Sequence, residues 1–340
     1  MVAMGKVICF GELLLRMSPE LNGQWLHNAT MPVFLGGAEL NVAQALSLWK
    51  NEVAYVTALP GHALTDEILQ ELRNKNIHTS AILIKEGRIG IYFLPQGADL
   101  KNSGVIYDRA YSSFWNLKPG EINWKEVLKD VSWFHFSAIT PALNETLVTV
   151  CEEALQAAES LNIPVSVDLN YRSKLWKYGN EPKNVMPQLV KYCDVVMGNP
   201  WSARSLLGIP LNTDIEIDNN KSSYLREAQN SANALRESFP KCKDVAYTFR
   251  LEEEPGVSYY GALMNDSGQF VSKEFYSEKV VDKVGSGDCF MAGLIHGITN
   301  GNNYNDLINF ASAAAFGKLH VKGDVTNQSV EDIKNLLNEN

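Results

Sequence analysis

The residues best suited to chemistry in this chain of 340 are Asp282-Lys-Val-Gly-Ser-Gly-Asp288, set ahead of the apolar run Phe290 to Ile298. Gly285 and Gly287 allow a sharp turn with no side chain in the way. Successive N–H groups then point at one spot, and the helix expected after them adds the positive end of its dipole. Such a turn binds an anion. Asp288, preceded by Gly285, Ser286 and Gly287, stands at the mouth of that helix. Held ionised by the same donors beside a developing phosphoryl charge, it suits a base that takes a proton from an attacking hydroxyl. Gly-Ser-Gly-Asp alone reads equally well as an N-cap after a glycine turn. Asp282 tips the balance, because Asp-x-x-Gly-[Ala/Ser]-Gly-Asp arises by chance in roughly one chain in a thousand of this length. The chain holds no Gly-x-x-x-x-Gly-Lys-Ser/Thr phosphate loop and no protein-kinase motif.

Alternating strands and helices must position that turn. Val7 to Phe10 reads as a short buried strand ending at Gly11-Glu12, and Gly36-Gly37 opens a helix in which Val42, Ala45, Leu46 and Trp49 share one face. Val53 to Ala58 is a strand, Leu64 to Lys75 a helix and Ser80 to Ile84 a strand. From Val131 the rhythm resumes with strands Val131 to Phe136, Val165 to Val167 and Asp194 to Met197, separated by helices Glu145 to Leu161 and Pro182 to Tyr192. This alternation predicts an α/β fold with a parallel sheet. Polar residues follow each strand, at Ser137 to Thr140, Asp168 to Arg172 and Gly198-Asn199, where ligands bind in open parallel sheets. Leu211 to Ser223 reads as a polar insertion or linker before a helix reaching Ser238. Strands then run Val245 to Phe249, Val257 to Met264 and Phe270 to Phe275, with antiparallel turn chemistry at Asn265 to Gly268. Helices are expected at Tyr304 to Leu319 and Glu331 to Asn340.

The rhythm breaks twice. Leu13 to Met17 with Met31 to Leu35, and Arg88 to Leu94 with Ser103 to Arg109, read as strands of one small β-sheet, the second pair a hairpin through Pro95 to Asn102. Period-two geometry puts Val105, Tyr107 and Arg109 on one face of their strand, and Tyr92 on a face with Gly90 and Leu94. Two tyrosines and an arginine can thus meet one pocket, although on pattern alone Tyr107 and Arg109 also suit a solvated face. Opposite Tyr92, Ile89, Ile91 and Phe93 form an apolar row too exposed for a lone chain. That row predicts a second copy covering it, in a homodimer or a higher homo-oligomer formed through this sheet.

Bulk composition narrows the class. With 45% hydrophobic residues the chain can bury one large core, with or without a small accessory domain. Met1 to Phe10 reads as a first strand rather than a signal peptide, and no run is long enough to span a membrane. Five widely spaced cysteines (Cys9, Cys151, Cys193, Cys242, Cys289) with no Cys-x-x-Cys fit buried thiols in a reducing cytosol, so a cytoplasmic location is expected. A net charge of −9 with no basic run argues against nucleic acid as a partner, and an anionic substrate would need a local field of arginines or backbone donors.

The Asp282 to Asp288 stretch closely resembles the signature of the ribokinase-like (PfkB-type) sugar kinases, and the resemblance runs from about Lys6 to Asn327. Four further pieces carry it: Gly36-Gly37-Ala-Glu-Leu-Asn41, Tyr92 with Tyr107-Asp-Arg109, Asp168-Leu-Asn-Tyr-Arg172, and Gly323-Asp324. It implies one domain over residues 1–340, a three-layer sandwich with a mostly parallel central sheet, and a β lid formed by about residues 12–35 and 88–110. Asp288 is then the catalytic base, and Gly285, Ser286 and Gly287 form the anion hole. The sugar would meet Gly36, Gly37, Asn41, Tyr92, Tyr107, Arg109, Ile139, Arg172, Asp288 and Asp324. ATP, with Mg2+ on its phosphates, would meet Asn170, Arg172, Asn199, Thr248, Arg250, Gly285 and Gly287; no metal ligand of the chain is singled out. Within the family the pieces most resemble the kinases of 2-keto-3-deoxygluconate. The physics agrees, because guanidinium forks hold a planar carboxylate and a neutral hexose needs no pair of arginines. Kinases of 2-keto-3-deoxygalactonate or fructose, and a non-catalytic sugar-acid-binding regulator, are the alternatives. Two departures touch the nucleotide half. Ser202 stands where the family places a magnesium-organising Glu, and Arg250 replaces a glycine ahead of the expected acidic loop Leu251 to Gly256. Arg250 either contacts the ATP phosphates or pairs with those glutamates.

Overall fold

Strand β1 (Lys6–Phe10) runs inside a ten-stranded sheet, and its alternate side chains feed two separate cores. The computed structural model describes residues 5–20, 25–26, 30–96, 104–212, 220–253 and 255–339. The expected turn through Pro95 to Asn102 falls largely outside them, as does most of the expected polar segment between Leu211 and Ser223. After β1 come β2 (Leu14–Met17), β3 (Val33–Gly36), α1 (Ala38–Leu48), β4 (Val53–Val56), β5 (Ala58–Leu59), α2 (Ala63–Asn74), β6 (Ile77–His78), β7 (Leu83–Ile84), β8 (Gly90–Phe93) and β9 (Ile106–Asp108). Next are α3 (Trp124–Val127), β10 (Val131–Ser137), α4 (Ile139–Leu143), α5 (Glu145–Ser160), β11 (Val165–Asp168), α6 (Pro182–Val190), β12 (Val195–Gly198), α7 (Pro200–Leu207) and α8 (Lys221–Ser238). The remainder holds β13 (Asp244–Glu253), β14 (Gly256–Asn265), β15 (Gly268–Val271), β16 (Phe275–Ser277), α9 (Ser286–Thr299), α10 (Tyr304–Lys318) and α11 (Val330–Glu339).

The main sheet is ordered β15-β14-β13-β12-β11-β10-β1-β4-β6, with β16 also on β14. Its pairs from β6 to β13 are parallel, and β14, β15 and β16 join antiparallel. Ile8 and Phe10 face one core with Phe134, Phe136 and the inner residues of α5 to α8; Val7 and Cys9 face the other with α1, α9 and α10. Two helical layers thus flank the central sheet, the three-layer sandwich expected. Each large apolar side chain buried in those layers, such as Ile8 or Phe10, stabilises by about 1.5–3 kcal/mol, and this packing holds the carboxyl ends of the strands. Glu12, Ser137, Asp168 and Gly198 lie at or just past those ends. The five cysteines are buried and unbridged. Among the described residues no helix is long and apolar enough to cross a membrane.

The small sheet is ordered β3-β2-β8-β9 and is mixed, because β2 and β8 run parallel while the outer pairs are antiparallel. One face turns Leu14, Arg16, Tyr92 and Tyr107 toward the carboxyl ends of the main sheet. The other face differs from expectation. Ile89 is buried in the second core, and Leu15 and Leu35 pack against that core too. The apolar row is therefore confined to the far end of the sheet, where Val33 and Ile106 are each 51% exposed beside Met17 and Phe93.

Three other expectations change. The strand expected at Ser80 to Ile84 is only β7, which pairs with β5, because a turn from Thr79 to Ile82 separates it from β6. Helix α7 was not expected, although Asn199 as its cap, Pro200 at its first position and left-handed Gly208 after its end all mark it. The expected acidic loop is not a loop. Leu251, Glu252 and Glu253 extend β13 and pair with Ser258, Val257 and Gly256. The ladder runs this far because β16 flanks the same end of β14 on its other side, pairing Val257 with Ser277.

Candidate active site

Gly285 caps α9 with φ 79°, and a Cβ there would collide with the Asp324 carbonyl oxygen, so both the conformation and the space require glycine. Asp282 shapes the turn ahead of it. Its Oδ1 accepts the Val284 N–H at 3.0 Å, and its Oδ2 accepts the Gly323 N–H at 3.1 Å and Arg16 Nη2 at 2.8 Å. The Val281 and Asp282 N–H groups donate to the Leu319 carbonyl at 2.8 and 3.1 Å. Among the described residues the N–H groups of Gly285, Ser286, Gly287 and Asp288 have no acceptor, and these residues line a cavity of about 650 Å³. Four donors converge on open space at a helix N-terminus, the arrangement an anion needs.

Asp288, in the first turn of α9, accepts Asn41 Nδ2 at 2.7 Å. Its state corrects the expectation of an ionised carboxylate. Burial pushes its pKa up to about 8; the Asn41 bond opposes the rise, while the carboxylates of Asp168 and Glu39 add to it. The helix donors do not reach its side chain. Glu39, two residues before Asn41 on α1, accepts the Ser137 N–H and hydroxyl, and burial raises it to about 7.

Opposite lie the ends of the main-sheet strands. Asp168 closes β11 and accepts the Asn170 N–H at 3.0 Å; burial raises it to about 6, against Asn170 and Arg172. Arg172 lines the cavity and donates from Nη1 to the Tyr171 carbonyl. Lys174 Nζ donates to the Val105 carbonyl at 3.0 Å, linking this strand end to the small sheet. Asn199 and Ser202 also line the cavity, locked together in the capping box of α7. Thr248 and Arg250 project from β13 into the same space, and Glu252 beyond them is engaged by Lys283 Nζ at 2.6 Å.

The small sheet closes the remaining side with Tyr92, Tyr107 and Arg109, while Ile139 comes from the start of α4. Arg109 is 6% exposed, so the solvated-face alternative falls. Its Nε donates to Glu12 Oε2 at 2.5 Å, and Ser112 Oγ donates to the other Glu12 oxygen. The Tyr92 hydroxyl is not open to a ligand as an unbonded donor, for it donates to Asp324 Oδ2 at 3.1 Å. Asp324 is engaged at its other oxygen too, by Arg16 Nε at 2.7 Å. Gly37 and Asn41 line the cavity, but Gly36 does not: a Cβ there would stand 2.6 Å from Asp324 Oδ2, so this glycine makes room for that carboxylate.

The sequence profile described as pfkB family carbohydrate kinase matches residues 4–330. The chain belongs to that family. The kinase is 28% identical over 333 residues to a 2-dehydro-3-deoxygalactonokinase of Haloferax volcanii, covering 98% of this chain and 96% of the relative. Among solved structures it resembles the 2-dehydro-3-deoxygluconokinase of Thermotoga maritima, at 33% identity and a TM-score of 0.88, over 98% of this chain and 99% of that one. It also shares its fold, at 17% identity and a TM-score of 0.75, with a putative ribokinase II from E. coli in complex with ATP and Mg2+, over 98% and 99% of the two chains.

Several groups around this kinase's cavity escape a reading of the sequence. Arg16 is 2% exposed, bridges Asp282 and Asp324 and lies over the Phe34 ring at 4.4 Å. Its partners are 266 and 308 residues away in sequence, so no local pattern marks it. Glu12 lies two residues past the end of β1, a local signal that could mark it. Among the described residues no three acidic, histidine or cysteine side chains could hold a metal ion. Asp168, a buried carboxylate on the cavity, suits magnesium arriving on ATP, since that ion is commonly held by one or two carboxylates together with substrate phosphates.

Proposed function

We propose that this kinase transfers the γ-phosphoryl of ATP to the terminal hydroxyl of a sugar acid, 2-keto-3-deoxygluconate giving its 6-phosphate. The observation that carries the reading is the convergence of Arg109, Arg172 and Asp288 on one cavity. Glu12 fixes the Arg109 guanidinium from behind, leaving its Nη groups without a partner among the described residues, a preorganised fork for a carboxylate. The sugar lies under the small sheet, which acts as a lid of the single domain and keeps water from the transfer. Asp288 takes the hydroxyl proton as the oxygen attacks phosphorus, ADP leaves, and the N–H groups of Gly285 to Asp288 hold the charge spread over the transferring oxygens. Magnesium, when bound, screens the charge of the ATP phosphates; Asp168 and Asn170 would face it. Asn199, Thr248 and Arg250 line the nucleotide side. The 2-keto-3-deoxygalactonate epimer is the second reading, favoured by the Haloferax volcanii relative. The test is product analysis by phosphorus and proton NMR: coupling of the new phosphate to the C6 protons supports the assignment, and a phosphate on another carbon refutes it.

Ser202→Glu should keep the α7 capping box, where a glutamate is the usual partner, and add a carboxylate at the cavity edge. The half-saturating magnesium concentration should fall roughly tenfold, with the sugar-acid KM unchanged. An unmoved magnesium profile would show that another carboxylate already fills the role. The exposed end of the lid, at Val33, Met17, Phe93 and Ile106, should be covered by the lid of a second copy. Light scattering at micromolar concentration should then give twice the 37.8 kDa chain mass, and a monomer would contradict the pairing.

A further inference from the structure

Lys318 ends α10 with its side chain fully buried, at 0% exposure, and the transfer described above makes no use of it. Lysine is almost never buried to this degree without partners. Its ammonium donates to the Val321 carbonyl at 2.9 Å. Its terminal methylene lies 3.5 Å from the point a Cβ on Gly285 would occupy, which places it directly behind the turn that offers the four N–H groups. The segment that follows forms the bed of that turn: the Leu319 carbonyl receives the Val281 and Asp282 N–H groups, the Gly323 N–H binds Asp282, and Gly285 sits against the Asp324 carbonyl. The charged groups facing Lys318 are Asp282, Asp324 and Arg16, with the Cys289 thiol beside them, whose own pKa is pushed up to about 12. Arg16 and Lys318 thus balance Asp282 and Asp324.

We propose that Lys318 is a positioning residue for phosphoryl transfer: its buried ammonium holds the 318–324 bed behind Gly285 and neutralises the carboxylates there. The turn's N–H groups then meet the transferring oxygens with no uncompensated negative charge at their back. Without Lys318 the cluster carries a net charge of −1 behind a site where negative charge develops, and the low local dielectric lengthens the reach of that charge. The proposal rests on the family's phosphoryl transfer and not on which acceptor is used.

Lys318→Met keeps the stem and removes the charge. We expect kcat to fall by about 10–100-fold, the acceptor KM to stay within about twofold and the melting temperature to hold within about 5 °C. Lys318→Ala leaves a space for a small cation, so ammonium or methylammonium should restore kcat in a saturable way without raising the melting temperature, and tetramethylammonium should not. Wild-type kcat in Lys318→Met, or a folded Lys318→Ala that no small cation rescues, overturns the proposal. So does a loss of activity that only tracks the folded fraction, or failure of both variants to fold, since either result gives Lys318 a purely structural role. If the wild type ignores sugar acids, the ratios are taken on whichever acceptor it phosphorylates, so an error in the acceptor leaves this test intact.

Discussion

Asp288→Asn is expected to lower turnover by about 10²–10⁴-fold while leaving the fold and the sugar-acid affinity in place. The amide oxygen can still accept the Asn41 bond, so the geometry of the first turn of α9 survives and only the basic oxygen is lost. The buried carboxylate also predicts the pH profile. With its pKa raised from the ordinary carboxylate value to about 8, the base is mostly protonated at neutral pH in the free enzyme, so kcat/KM should climb with pH and level off above about 8. The same shift has a sign for stability. Between about pH 4 and 8 the native protein keeps a proton that the unfolded chain releases, so this group's contribution to stability is full below pH 4 and is lost as pH rises through about 8. Asp288→Asn should remove both dependences. A variant that retains most of its turnover would take Asp288 out of the mechanism.

Arg172→Ala should weaken binding of the sugar acid by roughly 2–5 kcal/mol and of a neutral analogue far less, if the guanidinium makes a desolvated contact to the carboxylate. Arg172 is the cleaner of the two arginines to remove, because its guanidinium hydrogen-bonds the Tyr171 carbonyl, whereas that of Arg109 holds the buried Glu12 carboxylate. Arg109→Ala should show the same selectivity at a cost in stability, since it strips the cation from Glu12, which is 2% exposed. Pairing Arg109→Ala with Glu12→Gln should recover stability and leave the affinity loss. Titration calorimetry on both ligands gives the comparison. Equal losses on acid and neutral sugar would mean that neither arginine reads the carboxylate.

Much of the site was legible because its parts are local in sequence. The turn from Asp282 to Asp288 carries its own glycines, the alternation of strands and helices shows as apolar periodicity, and the polar residues at Asp168 to Arg172 follow a strand directly. What sequence hid is long-range. Arg16 and Glu12 acquire meaning only when the small sheet is laid against α9 and the strand ends, and the carboxylates that raise Asp288 arrive from β11 and α1. Leu251 to Glu253 read as a loop because consecutive glutamates rarely favour a strand; a neighbouring strand, β16, decided otherwise.

The arginine-lined acceptor site is tested by coupled measurement of ADP release across sugar acids and neutral sugars. It predicts kcat/KM for 2-keto-3-deoxygluconate, or its galactonate epimer, at least about a hundredfold above that for fructose or ribose, as an energy difference of a few kcal/mol at the arginines requires. Preferred turnover of a neutral sugar, or no ADP release with any sugar acid, would contradict it.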